Sequence, residues 1–218
     1  MTPDLDPERR LALAYVPAAR RAALAALWDL DVTLGAVLAT GSDPMISQIR
    51  LAWWREALEK LDHAGPPAEP LLQALARHVL PAGIGGAELA AMEEGWTLLL
   101  APDPLGPEAL HHYAETRGGR LFALSARLLG ADAPGVEAAG AGWALIDLAR
   151  RSGRDAEARV AVAAAGARPS EARWPVPLRP LGMLAALARR DAARGLPLEA
   201  QGSPARMLRM LRHRLTGR

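Results

Sequence analysis

Ile49-Arg50-Leu51-Ala52-Trp53-Trp54-Arg55-Glu56-Ala57-Leu58 is the most informative stretch of the chain. It contains neither glycine nor proline, and most of its residues are good helix formers. Upstream, Gly41-Ser42-Asp43-Pro44 supplies a loop, a capping side chain and a proline suited to a first helical turn. The pattern predicts a helix from about Asp43 to Leu61. At about 100° per residue, Ile46, Ile49, Trp53, Trp54, Ala57, Leu58 and Leu61 share an apolar arc. Arg50 falls inside that arc, whereas Arg55, Glu56 and Glu59 fall outside it.

Working outward, proline and glycine punctuate the chain into further helical segments. These are Glu8–Tyr15, Pro17–Leu38, Glu69–Leu80, Glu88–Leu100, Pro107–Leu129, Val136–Arg151, Asp155–Ala165, Leu181–Ala193 and Pro204–Leu215, with Pro175–Pro180 as an internal linker. No alternating strand pattern and no internal repeat interrupts them. The 218 residues include 47 Ala and 36 Leu against 9 aromatics, a composition that favours helix throughout. The expectation is an all-α helical bundle forming one domain over residues 1–218.

Composition also excludes chemistries. Absence of cysteine removes disulfides, thiolate metal sites and cysteine nucleophiles. No run of about 18 uncharged apolar residues is present, and Met1-Thr2-Pro3-Asp4-Leu5-Asp6 is acidic where a signal peptide is basic. A cytoplasmic protein, peripheral to a membrane at most, is expected. Serines do not sit in G-x-S-x-G, no phosphate-binding G-x-x-x-x-G-K occurs, and His111 and His112 are adjacent rather than spaced for a metal. Of the 26 basic residues only Lys60 is lysine and there is no asparagine, a bias typical of GC-rich coding. Residues 1–100 hold 8 basic and 13 acidic groups, and residues 101–218 hold 18 and 11. This arginine excess is diffuse and has few stacking aromatics around it, so no nucleic-acid partner is expected.

Four helices each turn one charge into an apolar face: Asp31, Arg50, Arg117 and Asp147, with Tyr113 beside Arg117. Unpaired buried charges cost several kcal/mol, so these groups must pair or line a wet cavity. One reading is a pair of internal salt bridges. The other is the polar floor of a cavity that takes an anionic or amphiphilic ligand, with Arg50 and Arg117 on its phosphate. Ser203–Arg218 carries five Arg and no acid. There Met207, Leu208, Met210, Leu211 and Leu215 predict a docked stripe, and Arg206, Arg209, Arg212 and His213 a basic face able to meet anionic lipid.

The Trp53-Trp54-Arg55 helix resembles the W-W-R-x-x-L helix of the squalene/phytoene synthase family. Further pieces are similar in order and spacing across residues 10–155. Pro70-Leu71-Leu72-Gln73-Ala74-Leu75 resembles the H-P-v-x-x-A-L segment, and Gly95-Trp96 falls at the G-x-x-x-D-l stretch. Leu110-His111-His112-Tyr113, Arg117-Gly118-Gly119 and Leu128-Leu129-Gly130 are similar to the L-x-x-Y, a-G and l-l-G helix. Ala144–Arg151 lies at Q-L-x-N-I-L-R-D.

The resemblance implies a terpenoid-synthase fold in which two D-x-x-x-D helices hold Mg²⁺ against prenyl diphosphates. Carboxylates spaced by four share a helix face, which is what such a metal site needs. Here Gly35, Ala36 and Ala39 stand at the first motif, and Arg151 leads the second, leaving Asp155. The only acid pair four apart is Asp4/Glu8. The resemblance is therefore to the motif-poor branch, which includes an assembly factor for respiratory complex I. It implies a protein without ordinary head-to-head prenyltransferase activity, needing no cofactor, that binds an isoprenoid, a lipid or a protein partner. The alternatives are an active prenyltransferase with rearranged Mg²⁺ ligands and a purely structural helical scaffold.

Overall fold

Four helices begin alike, with an oxygen-bearing side chain followed by proline. Asp6 accepts from the amides of Glu8 and Arg9 at the head of α1 (Pro7–Ala14). Asp43 caps α3 (Pro44–Lys60), Glu69 caps α4 (Pro70–His78) and Ser203 caps α12 (Pro204–Thr216). In each, proline takes a first-turn position where its missing N–H costs nothing, while the cap satisfies an amide that the helix leaves open. Such starts are local chemistry, and they fall where the sequence placed them.

A computed structural model describes residues 5–41, 43–169 and 173–218. It is all-α, with no strand among the described residues. Between α1 and α3 lies α2 (Ala18–Thr40), a central helix that buries Leu24, Leu27, Trp28, Leu30, Leu34 and Val37. By length and composition α2 is apolar enough to cross a membrane, but Asp29 and Asp31 interrupt it and its apolar face is packed inside the bundle. The predicted Glu88–Leu100 helix is broken into α5 (Gly86–Ala90), α6 (Glu93–Thr97) and a 3₁₀ turn over Leu98–Leu100. Then α7 (Pro107–Tyr113) runs through a π-helical segment, Ala114–Gly119, into α8 (Arg120–Leu128). Next come α9 (Val136–Arg151), α10 (Asp155–Gly166), α11 (Arg179–Arg194) and α12.

Helix α9 packs on the π-helical segment, α8, α10 and α11, so it and α2 are the bundle's two hubs. Small residues permit this closeness. A Cβ on Gly118 would strike the Gly140 carbonyl, one on Gly140 would strike Gly118 and Phe122, and one on Gly95 would meet the Arg117 backbone. The three glycines thus let α6, the π-helical segment and α9 approach backbone to backbone, and Arg117 emerges at their junction.

Two helices face differently from expectation. On α3 the buried residues are Ser47, Leu51, Trp54, Ala57 and Leu58, whereas Met45, Ile46, Ile49 and Trp53 are 49–69% exposed. Arg50 shares the outer face and is exposed, its guanidinium 3.4 Å from the Thr40 hydroxyl. Its predicted burial is corrected: α3 is apolar on both sides, so periodicity alone could not select the inward one. On α12, Arg206 and His213 are buried with Met210, and it is Leu208 and Leu215 that face outward. Acids on distant elements determine that rotation. Arg206 binds Glu8 of α1 at 2.5 and 3.0 Å and Asp191 of α11 at 2.6 and 2.7 Å. Arg150 completes the cluster by donating to Asp191 and to the Glu199 carbonyl.

Candidate functional site

Asp31 projects from the middle of α2 into the bundle and is fully buried. The Arg117 guanidinium meets it with Nε at 3.0 Å from Oδ1 and Nη2 at 3.3 Å from Oδ2. The same Nη2 donates to Asp147 of α9 at 2.7 Å, and Nη1 donates to the Tyr113 hydroxyl at 2.5 Å. Asp31, Arg117, Asp147 and Tyr113, four of the five predicted site residues, are therefore one connected group. Arg50, the fifth, lies outside it.

Two arginines that were not predicted complete the charge balance. Arg9 of α1 donates to Asp31 at 2.9 Å and to Asp6 at 2.8 Å. Arg151 donates to both oxygens of Asp147, at 3.1 and 3.0 Å. Three arginines (9, 117, 151) thus face three aspartates (6, 31, 147), and the group is formally neutral. Aromatic rings enclose it: the Arg117 guanidinium lies 3.9 Å from the Trp96 ring centroid, and Arg9 lies 4.9 Å from that of Trp143. Weak hydration of guanidinium and the ring quadrupole make such faces favourable in a dry setting. Arg9 shares the buried side of α1 with Ala12, but its acid partner Asp31 lies 22 residues on, beyond any local pattern.

Electrostatics keep Asp31, Asp147, Arg117 and Tyr113 in their usual charge states. Burial alone would raise Asp31, but Arg117 and Arg9 outweigh it and hold the carboxyl below its ordinary range. Asp147 is depressed likewise, against its own burial, by Arg117 and Arg151. Burial and then the two carboxylates push the Tyr113 phenol up to about 12, against the opposing Arg117, so it stays neutral and accepts from that guanidinium.

A cleft of about 520 Å³ opens beside this group. Gly35, Leu38 and Ala39 of α2 form one wall, Trp96, Leu98 and Leu99 a second, and Leu148, Arg151, Ser152 and Arg154 a third. Trp96 belongs to both places: one side of its environment is the cleft and the other is Arg117. Gly35 makes room for it, since a Cβ there would lie 2.6 Å from the Trp96 ring. Asp31, Arg117 and Tyr113 are at most 1% exposed and stand behind this wall, and Arg151 reaches from Asp147 to the cleft.

The squalene/phytoene synthase family profile matches residues 3–163. No curated protein and no solved structure matches the chain. The chain belongs to the squalene/phytoene synthase family, and its all-α architecture is that of the family's isoprenoid-synthase-type fold. The matched residues include α1 to α9, the buried ion group and the whole cleft lining. Residues 164–218, with α11 and α12, lie beyond the match.

Magnesium held against a diphosphate needs several carboxylate oxygens converging on one point. The cleft offers Asp103 and Glu157, the latter accepting from Ser152 at 2.6 Å. Gly35 and Ala39 supply no side-chain oxygen, and Arg151 brings a positive charge instead. No group of three or more metal-ligating side chains occurs among the described residues. This donor set does not fit the metal–diphosphate arrangement.

Proposed function

We propose that the chain binds an amphiphilic anion, an isoprenoid diphosphate or an acidic lipid, without condensing two of them head to head. The carrying observation is the cleft that has Gly35, Ala39 and Arg151 where the resemblance puts metal-binding aspartates. Leu38, Leu98, Leu99, Leu105 and Leu148 offer an apolar run for a hydrocarbon chain. Arg151 and Arg154 supply guanidinium donors for a phosphate, doing with fixed charge what the family's metal does with a mobile one. A cleft of this size lies within the usual range for small-molecule sites. In this reading Asp31, Arg117, Asp147 and Tyr113 do not touch the ligand. They hold Trp96 and Arg151 in place behind it.

Farnesyl diphosphate titrated into the protein, with tryptophan fluorescence as readout, tests the proposal. Binding should be unchanged by EDTA, and Arg154→Glu should weaken it about tenfold or more. Incubation with farnesyl or geranylgeranyl diphosphate and Mg²⁺ should yield no squalene or phytoene. Formation of either product, or binding that requires the metal, would establish instead an active transferase with rearranged ligands.

A second reading, docking of a protein partner, is favoured by the exposed Met45, Ile46, Ile49 and Trp53 on α3. Unpacked stripes of this kind suit a partner helix or sheet. Loss of a co-purifying partner in an Ile49→Glu/Trp53→Glu variant, with prenyl-diphosphate binding intact, would select it.

A further inference from the structure

The last two turns of α11 and the outer side of α12 bring an unusual density of arginine to one surface. Arg189, Arg190 and Arg194 come from α11, and Arg209 and Arg212 from α12. Burial lowers the Arg209 pKa, and repulsion from Arg189, Arg190, Arg212 and Arg194 lowers it further, so Arg209 stands within electrostatic reach of the other four. Among the described residues, the carboxylates that meet Arg190, Arg194, Arg209 and Arg212 are few. Asp191, the only acid on these helices, is turned inward to Arg206 and Arg150. Glu199, in the connecting loop, is shared by Arg190 at 2.5 Å and Arg194 at 3.3 Å. Arg209 and Arg212 form no ion pair among the described residues, and Arg212 and Arg194 are exposed.

Leucines stand in the same face. Leu208, Arg212 and Leu215 are spaced by four and three, one stripe of the helix, and Leu208 and Leu215 are 68% and 78% exposed. Their outward position follows from the fold, because the Arg206 bridges to Glu8 and Asp191 fix the rotation of α12. Two leucines set beside exposed arginines on one stripe suit a membrane interface, whereas a nucleic-acid surface would present stacking aromatics instead.

We propose that this face docks on an anionic lipid bilayer, with Leu208 and Leu215 entering the interface and Arg194, Arg209 and Arg212 meeting lipid phosphates. Charge and apolar anchorage then act on one helix lying in the membrane plane. The surface is separate from the cleft, and the proposal stands or falls independently of what the cleft binds.

Co-sedimentation of the full chain with vesicles tests it. Vesicles of phosphatidylcholine with about 30% phosphatidylglycerol should bind the protein at low salt, and pure phosphatidylcholine should not. Raising the salt should release it. Arg194→Glu/Arg212→Glu should lower partitioning by an order of magnitude or more, and Leu208→Ser/Leu215→Ser severalfold. All four positions are exposed, so circular dichroism should show folded variants. In Leu208→Trp, brominated acyl chains should quench more fluorescence than in the parent protein. Three outcomes would overturn the proposal: binding indifferent to lipid charge, no loss in the leucine double variant, or RNA competing the protein off vesicles with no added quenching in the Leu208→Trp variant.

Discussion

Arg117 makes contacts that no other side chain could reproduce together. Its planar fork spans Asp31, Asp147 and Tyr113 while its face lies on Trp96. Removing it leaves Asp31 with Arg9 alone and Asp147 with Arg151 alone, and breaking buried pairs of this kind typically costs about 3–5 kcal/mol. Arg117→Met should therefore unfold at markedly lower urea concentration, and adding Asp31→Asn and Asp147→Asn should restore part of the loss. A triple variant no more stable than the single one would show that Arg117 acts through its ring contacts rather than its charges. Arg50 is the counterexample. Being exposed and bonded only weakly to Thr40, it should tolerate Arg50→Ala within about 0.5 kcal/mol.

His213 is the titrating residue to watch. It is fully buried on α12, edge-on to Trp174 with ring centroids 6.4 Å apart. Burial, then Arg189, lowers its pKa to about 4 from the ordinary value of 6.5. Between those values the unfolded chain binds the proton and the folded chain does not, so stability rises with pH across that window. Thermal melts from about pH 4 to 6.5 should show the rise. His213→Leu should flatten it, whereas the lowered Asp31 and Asp147 act only at more acidic pH.

Among the elements, the π-helical segment has the largest effect on the site. Ala114–Gly119 shifts the helix to i→i+5 hydrogen bonding and sets Arg117 on the inner side, against Gly95. Gly118→Ala should destabilise by several kcal/mol, since the added carbon meets a backbone carbonyl that cannot rotate away. Chemical denaturation measures this directly, and an unchanged midpoint would show that α9 can retreat.

Helix starts were legible in the sequence because Asp6-Pro7, Asp43-Pro44, Glu69-Pro70 and Ser203-Pro204 carry their own instructions. So were the inward positions of Asp31, Arg117 and Asp147, each a single charge in a clean apolar face. The orientation of α3 was not, because Met45, Ile49 and Trp53 compete with Leu51, Trp54 and Leu58. Nor were the roles of Arg9 and Arg206, whose acid partners lie 22 and 198 residues away. Nor were the interruptions at Met92 and over Ala114–Gly119, which fall inside segments of continuous helical pattern.

At the scale of the whole molecule, residues beyond the family match close the bundle. Leu181, Met183, Leu184 and Leu187 of α11 are at most 3% exposed, and α11 packs against α9, α10, α1 and α12. A fragment ending at residue 163 would cut α10 and expose the inner faces of α9 and α1. It should keep helical circular dichroism, bind a hydrophobic dye and lose cooperative melting. A sharp melt in that fragment would show instead that α11 and α12 are an appendage.

The bridge from Glu8 to Arg206 also places the bundle's assembly in time. Ribosomes add about 5–20 residues per second, so some 10–40 seconds separate the emergence of the two partners. Throughout that interval the Glu8 carboxylate is without the guanidinium that lets it enter the core. Arg9 meets Asp31 of α2 only 22 residues on, so α1 closes its contact with α2 early and its contact with α12 last.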